Sequence, residues 1–379
     1  MLLIKNGNLH LPGQQVLKEG DILIEGAYIK QIGKNLSDEG VEVLDATGKE
    51  VFPGLILPLT SVGLTDYANL RQNDSNEISS PCHPGLHVRY ALDGREVERQ
   101  RYWMGVITSF GAAPANGALL AGQMGVYHIT GFTASQMCVR DTVAVKGNFL
   151  SDVKSTFQSK GVEPMTRMGM SALLRRELDA AKRWMETGNS EYHADYAALA
   201  KVLRKEIPLL MNANTVTDIA DVLEIGREYG IRLILNGVYE GHLVADLIEE
   251  SNASVILGDL FDSGARIWYQ TEIDQILSLR EKQPVCIGCS SGGVGRENLL
   301  WNGCRLIQEG YSPEDVLDMM TVKTAEVLGV EDLIGSIQEG LFADLAIYNG
   351  NPLESWTADV QATLVAGKIV YQKEGGAVC

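Results

Sequence analysis

The stretch IPLLMNANTVTDIADVLEIGREYGIRLILNG, residues 207–237, reads as strand, helix and strand. Leu209, Leu210 and Met211 run together without polar alternation, as in a parallel strand buried on both faces. TDIADVLEIGREYG is amphipathic, with Thr217 as its expected N-cap and Gly230 as its stop. The cadence then repeats. IRLILNG leads to HLVADLIEES, SVILGDL to EIDQILSLREK, and PVCIGCS to RENLLWNGCRLIQEG. Four consecutive strand–helix units suit a doubly wound sheet or a (β/α)8 barrel. No Gly-x-Gly-x-x-Gly follows a first strand, so dinucleotide binding has no support and a TIM-like barrel is the expectation.

Outward from this core the pattern changes to β. LLIKNGNLHL, DILIEGAYIKQIG and VEVLDATG near the amino terminus are short alternating runs broken by Gly and Asn. GLFADLAIYNG and ATLVAGKIVYQ near the other end read the same way. Neither end has enough apolar residues to bury a sheet alone. The two ends are expected to pair into one small β-sandwich domain, residues 1–52 with 340–379, around an α/β barrel at 53–339.

Composition excludes some roles. The chain has 379 residues, 45% of them hydrophobic, enough for a large core. A net charge of −17 argues against binding nucleic acid or an anionic membrane through bulk charge. The most apolar stretch, Val51–Leu64, is interrupted by Pro53, Gly54, Pro58 and Gly63 and is too short to span a bilayer. Six scattered cysteines form no disulfide framework, and with no export signal a cytoplasmic location fits.

Barrel chemistry sits at the carboxyl ends of the strands. The residues there are Asn212, Asn214, Asn236, Asp259, Cys289, Ser290 and Ser291, polar but mostly poor acids, bases or metal ligands. VLDATGKEVFPGLILPLTSVG, at 43–63, resembles the amidohydrolase-superfamily signature of an apolar strand, Asp-Ala-x-Gly and Pro-Gly-Leu-Ile-Asp-x-His-x-His. TVKTAEVLGVEDLIGSIQEGLFADLAIYNGNPL, at 321–353, resembles that family's return from barrel to β domain. RYALDG (89–94), GVITSFGAAPANGALLAGQMGVY (105–127) and MTRMGMSALLRRELDAA (165–181) are similar to its imidazolonepropionase-like branch.

The resemblance implies a hydrolase of non-peptide C–N bonds that uses zinc or another divalent metal. It also implies that the ligand positions have changed. The signature's histidines match Leu59 and Ser61, and its preceding Asp matches Leu57. The histidines after strands five and six match Asn212 and Asn236, and the catalytic aspartate after strand eight matches Ser290. Near strand four, AVKGNFL offers Lys146 or Gly147 where the family has a bridging lysine or acid, and a carbamylated Lys146 would supply one carboxylate. Zinc needs three or four N, S or carboxylate donors. No cofactor is therefore expected.

Each candidate has a plainer reading. The polar replacements either bind a polar ligand or bond to one another. CSSGGVGREN after the last strand is either an anion-binding nest or, preferred, an ordinary loop. Cys286 and Cys289 form a C-x-x-C on a strand, where i and i+3 face opposite sides, so redox or zinc chemistry is not expected. Cys289 alone remains a remote nucleophile. His128 and His242 lie near the barrel, His83 and His87 in a proline-bounded loop, and Arg167 is expected to brace the loop after strand four. Lys146, Asn214, His242, Cys289 and Ser291 are carried as possible ligand-binding residues.

The leading expectation is a catalytically degenerate amidohydrolase-like protein. It would bind a polar small molecule or act as a partner subunit, in a homo-oligomer or with an active paralogue. The alternatives are a hydrolase of a cyclic amide that uses atypical residues, and a scaffold with a vestigial pocket.

Overall fold

The computed structural model describes residues 1–11, 13, 15–64, 73–95, 99–188, 191–258, 260, 277–289 and 298–373. Two eight-stranded sheets carry the fold. The first combines β1 (Leu2–Leu9), β2 (Leu17–Glu25), β3 (Tyr28–Gly33), β4 (Glu42–Asp45) and β5 (Glu50–Pro53) with three late strands. These are β14 (Leu345–Tyr348), β15 (Val360–Val365) and β16 (Lys368–Gln372). Its order is β16-β15-β14-β5-β1-β2-β3, with β4 alongside the start of β1. The ends meet where β5 pairs antiparallel with β14, Val51 opposite Ile347. The core of this sheet mixes Leu2, Ile4, Ile22 and Val51 with Leu345, Ile347 and Leu364, so each end supplies apolar surface the other lacks.

The second sheet runs in chain order: β6 (Leu55–Thr60), β7 (Ile107–Ala112), β8 (Leu120–His128), β9 (Cys138–Asn148), β10 (Leu209–Ala213), β11 (Leu233–Gly237), β12 (Ser254–Leu257) and β13 (Val285–Ile287). Alternate residues separate into two cores. Ile56, Met124, Ala144, Leu210, Ile234, Ile256 and Cys286 share one cluster, contributed by seven strands and lying inside the rolled sheet. Leu57, Val145, Leu209, Met211, Leu235, Val255 and Val285 join the larger cluster that includes the helices. The helices Pro313–Met320 and Val322–Leu328 touch both β6 and β13, the two edges of the sheet. The result is a nearly closed barrel.

The barrel is not strictly (β/α)8 in its early strands. β8 is antiparallel to both β7 and β9, while β6 and β7 pair in parallel, as do β9 through β13. The long β8 and β9 are therefore joined by the short helix Ala134–Met137 rather than a full crossover.

Local signals place the helix Val216–Tyr229. Gly230 ends it in a left-handed conformation, as the sequence indicates. Its cap is Thr215 rather than Thr217: the Thr215 hydroxyl accepts from Asp218 N and donates to the Asp218 carboxylate at 2.6 Å. Arg167 corrects another expectation. It opens the helix Arg167–Glu186 and its Nε donates to Asp218 at 2.7 Å, tying two helices rather than the loop after the fourth strand.

Gly54 and His128 both help to join the two sheets. Gly54 separates β5 from β6, and a Cβ there would lie 2.2 Å from the Thr108 side chain. His128, at the end of β8, meets Asp344 just before β14, its Nε2 lying 3.0 Å from the carboxylate. The same carboxylate accepts from Ala366 N at 2.7 Å and from the Ser109 hydroxyl at 3.4 Å. His128 is thus a buried joint, not a rim residue. No helix among the described residues is long and apolar enough to cross a membrane.

Candidate binding site

Parallel strands in register put equivalent residues side by side. At the carboxyl ends of β9, β10 and β11 these are Asn148, Asn212 and Asn236, with Asn212 opposite each of the others. Their amides form a ladder. Asn236 Nδ2 donates to Asn212 Oδ1 at 2.6 Å, and Asn212 Nδ2 donates to Asn148 Oδ1 at 2.8 Å. Asn148 continues to the Ala118 carbonyl at 2.7 Å. The loop after β7 closes the network: Asn116 Oδ1 accepts from Asn212 at 2.8 Å and from Lys146 Nζ at 2.7 Å.

Lys146 lies two residues before Asn148 on the same face of β9 and is 2% exposed. Nζ also donates to the Pro114 carbonyl at 2.5 Å. Both partners are neutral. Burial alone holds this amine far below the usual lysine range, at about 7.

These groups line a cavity of about 300 Å³ at the barrel mouth. Leu59 and Ser61 enter from the end of β6, Asn214 and Tyr239 from the loops after β10 and β11, and Cys289 from beyond β13. The exposed Asp152, on the helix Ser151–Gln158, is the one carboxylate on its rim among the described residues. Gly237 has φ +94°, and a Cβ there would meet Asn214 Oδ1 at 2.0 Å, so this glycine gives the Asn214 amide its seat.

Of the candidates read from sequence, Leu59, Ser61, Lys146, Asn212, Asn214, Asn236 and Cys289 come together here. Leu57 does not. It is fully buried in the outer cluster, because the β6–β7 register shifts between Leu57 and Thr60, at Pro58, which has no N–H to donate. His242 is also absent from the lining: it sits in the short 3-10 turn Gly241–Val244, and Tyr239 takes the rim instead. Asp259, Ser290 and Ser291 lie outside the described residues. Cys286 lies inside the barrel, where burial pushes its thiol up to about 12, while Cys289 lines the mouth. His87 caps the 3-10 turn Val88–Tyr90 and meets Thr142 Oγ1 at 2.9 Å, while His83 accepts from Ser80 N at 3.0 Å. Both are held in loop structure.

The sequence alone does not point to Asn148, Asn116 or the Pro114 and Ala118 carbonyls. Asn148 comes within reach once Lys146 is a candidate, since residues two apart on a strand share a face. Asn116 carries only the weaker signal of a polar residue just past a strand end.

The comparisons with known proteins agree with this architecture. Residues 284–371 match the model of an amidohydrolase family. The amidohydrolase tasK of Hapsidospora irregularis is 22% identical over 90% of this chain, and the chain spans only 39% of its length. The 5-methylthioadenosine/S-adenosylhomocysteine deaminase of Pyrococcus furiosus is 21% identical over 97% of this chain and 94% of its own. The crystal structure of an amidohydrolase from Thermotoga maritima shares the fold, with a TM-score of 0.90 and 24% identity over 98% of this chain and all of that one.

The chain resembles amidohydrolases in part of its sequence and shares their fold.

The described donor set is poor in metal ligands. Among the described residues no three or more His, Cys, Asp or Glu side chains gather as a metal site. The lining amides donate to one another, Leu59 offers no lone pair, and Ser61 is a weak neutral donor. A carbamate on Lys146 would keep one N–H for two acceptors and set anionic oxygens against the Pro114 and Asn116 oxygens. These residues do not fit zinc.

Proposed function

We propose that this amidohydrolase-like chain binds a small, uncharged, polar molecule at its barrel mouth without a metal, and that its hydrolytic chemistry has been lost or replaced. The observation that carries this reading is the Asn236–Asn212–Asn148 ladder with Asn116 and Lys146. It occupies the strand ends with neutral donors and acceptors. A hydrogen-bonding cavity of about 300 Å³, with neutral groups at the strand ends and one described carboxylate on its rim, suits an amide- or carbonyl-bearing metabolite better than an ion.

A second reading is supported by Lys146 alone. An amine held near pH 7 is a competent general base, so hydrolysis or deamination at a C–N bond by atypical groups is the rival. The relatives include a protein named a deaminase, which keeps this rival in view. Elemental analysis of protein purified without chelator tests the absence of metal that both readings assume, and an assay for C–N bond turnover separates them. One or two divalent ions per chain, with turnover of cyclic amides, would sink the metal-free reading. A thermal-shift screen of neutral polar metabolites then tests binding, since a ligand at 100 times its dissociation constant stabilises by about 2.7 kcal/mol. No shift from any compound would leave the partner-subunit role, which native mass measurement reads directly.

A further inference from the structure

We infer that Lys146 is an amine nucleophile that captures a small polar aldehyde or ketone as an imine. The inference rests on the binding reading above and names the substrate class of that pocket.

The hydrogen-bond count around Nζ supports it. A neutral amine has two N–H groups and one lone pair, whereas an ammonium has three N–H groups and no lone pair. The site supplies two acceptors, the Pro114 carbonyl and Asn116 Oδ1, and both are occupied by Nζ. Among the described residues no third acceptor and no carboxylate is bonded to it. The geometry therefore satisfies the neutral form and leaves its lone pair unshared beside the cavity. A lysine built to hold an anion would instead keep its charge.

The fixed acceptors also aim the nitrogen. Asn116 is itself anchored by Asn212, and Asn212 by Asn148 and Asn236, so Nζ is held by a rigid network. Among the described residues the other titratable groups lining the cavity are Asp152 on the rim, Tyr239 after β11 and Cys289 after β13. The step balances without a co-reactant. The Nζ lone pair attacks the carbonyl carbon and the C=O π bond shifts to oxygen. One nitrogen proton passes to that oxygen, giving a carbinolamine. The C–O bond then breaks, its oxygen leaves as water with the second nitrogen proton, and C=N forms. No group is oxidised or reduced.

The test uses glycolaldehyde, a small neutral polar aldehyde, with cyanoborohydride to reduce any imine, followed by peptide mapping. Glycolamide, of similar size but unable to form an imine, serves as the non-reacting probe. Labelling is expected at Lys146 about tenfold faster than at exposed lysines, which are mostly protonated near neutral pH. It should rise with pH through about 7 and then level, and glycolamide should slow it. Asn116→Asp, which sets a carboxylate against Nζ, should shift that rise to higher pH while keeping the lysine. Labelling of Lys146 no faster than exposed lysines, while glycolamide still raises the melting temperature, overturns the nucleophile and leaves the pocket. Neither labelling nor a glycolamide shift overturns both. Fast labelling with no pH shift in Asn116→Asp overturns the stated role of the two acceptors.

Discussion

Asn236 and Asn212 stand directly opposite each other on adjacent parallel strands, and the amide of the first donates to the carbonyl oxygen of the second at 2.6 Å. Asn212 is the hub, since its own amide nitrogen serves both Asn116 and Asn148. Asn212→Leu should therefore cost about 1–3 kcal/mol, because three partners lose a bond at once. Asn236→Leu, at the end of the chain of bonds, should cost less. Urea unfolding of both variants and the double variant checks the order. Equal and additive losses would contradict a coupled ladder.

Lys146 gives stability a pH dependence with a definite sign. Its folded pKa is lowered to about 7 from an ordinary 10.5, so between those values the unfolded chain binds a proton that the folded chain does not. Stability should rise with pH across that window, by at most about 1.4 kcal/mol per unit from this group, and flatten below it. Lys146→Met should remove that slope even if it lowers stability throughout, since Pro114 and Asn116 lose their donor. Denaturant midpoints of both proteins from pH 6 to 10 provide the comparison. An identical slope in the variant would mean that Lys146 is charged when folded.

Gly54 tests the joint between the sheets. Gly54→Ala places a Cβ within 2.2 Å of Thr108 and should destabilise by about 1–3 kcal/mol. Thr108→Ala in the same chain should recover part of this, because the nearest atoms are the Thr108 methyl and hydroxyl. Thermal melts of the single and double variants decide it.

Asp344→Ala should be more costly. It leaves His128, Ser109 and the Ala366 N–H without the carboxylate they share in a buried site. A loss of about 3 kcal/mol is expected, read by urea unfolding. Asp344→Asn, which keeps an acceptor oxygen, should lose less.

The repetitive parts of the fold were legible. Unbroken apolar strands, a helix closed by Gly230 and alternating terminal strands all follow from local periodicity. The inversion of β8 was not, because its direction is decided by pairing with β7 and β9 and leaves no local trace. Within the site, residues at strand ends could be placed by register, which is why Asn212, Asn236 and Lys146 fell together. Leu57 failed because Pro58 breaks the alternation on which that reasoning depends. Asn116 belongs to a loop, where spacing carries no orientation.

The pairing of Val51 with Ile347 has a consequence for synthesis. β5 leaves the ribosome early, and its partner β14 only after the entire barrel has been made. Until then one flank of β5 presents unsatisfied backbone groups and a half-built apolar face. A message that stops short of β14 therefore yields a chain whose earliest strands stay exposed, visible to chaperones and proteases. Completing the last strands is what certifies the first.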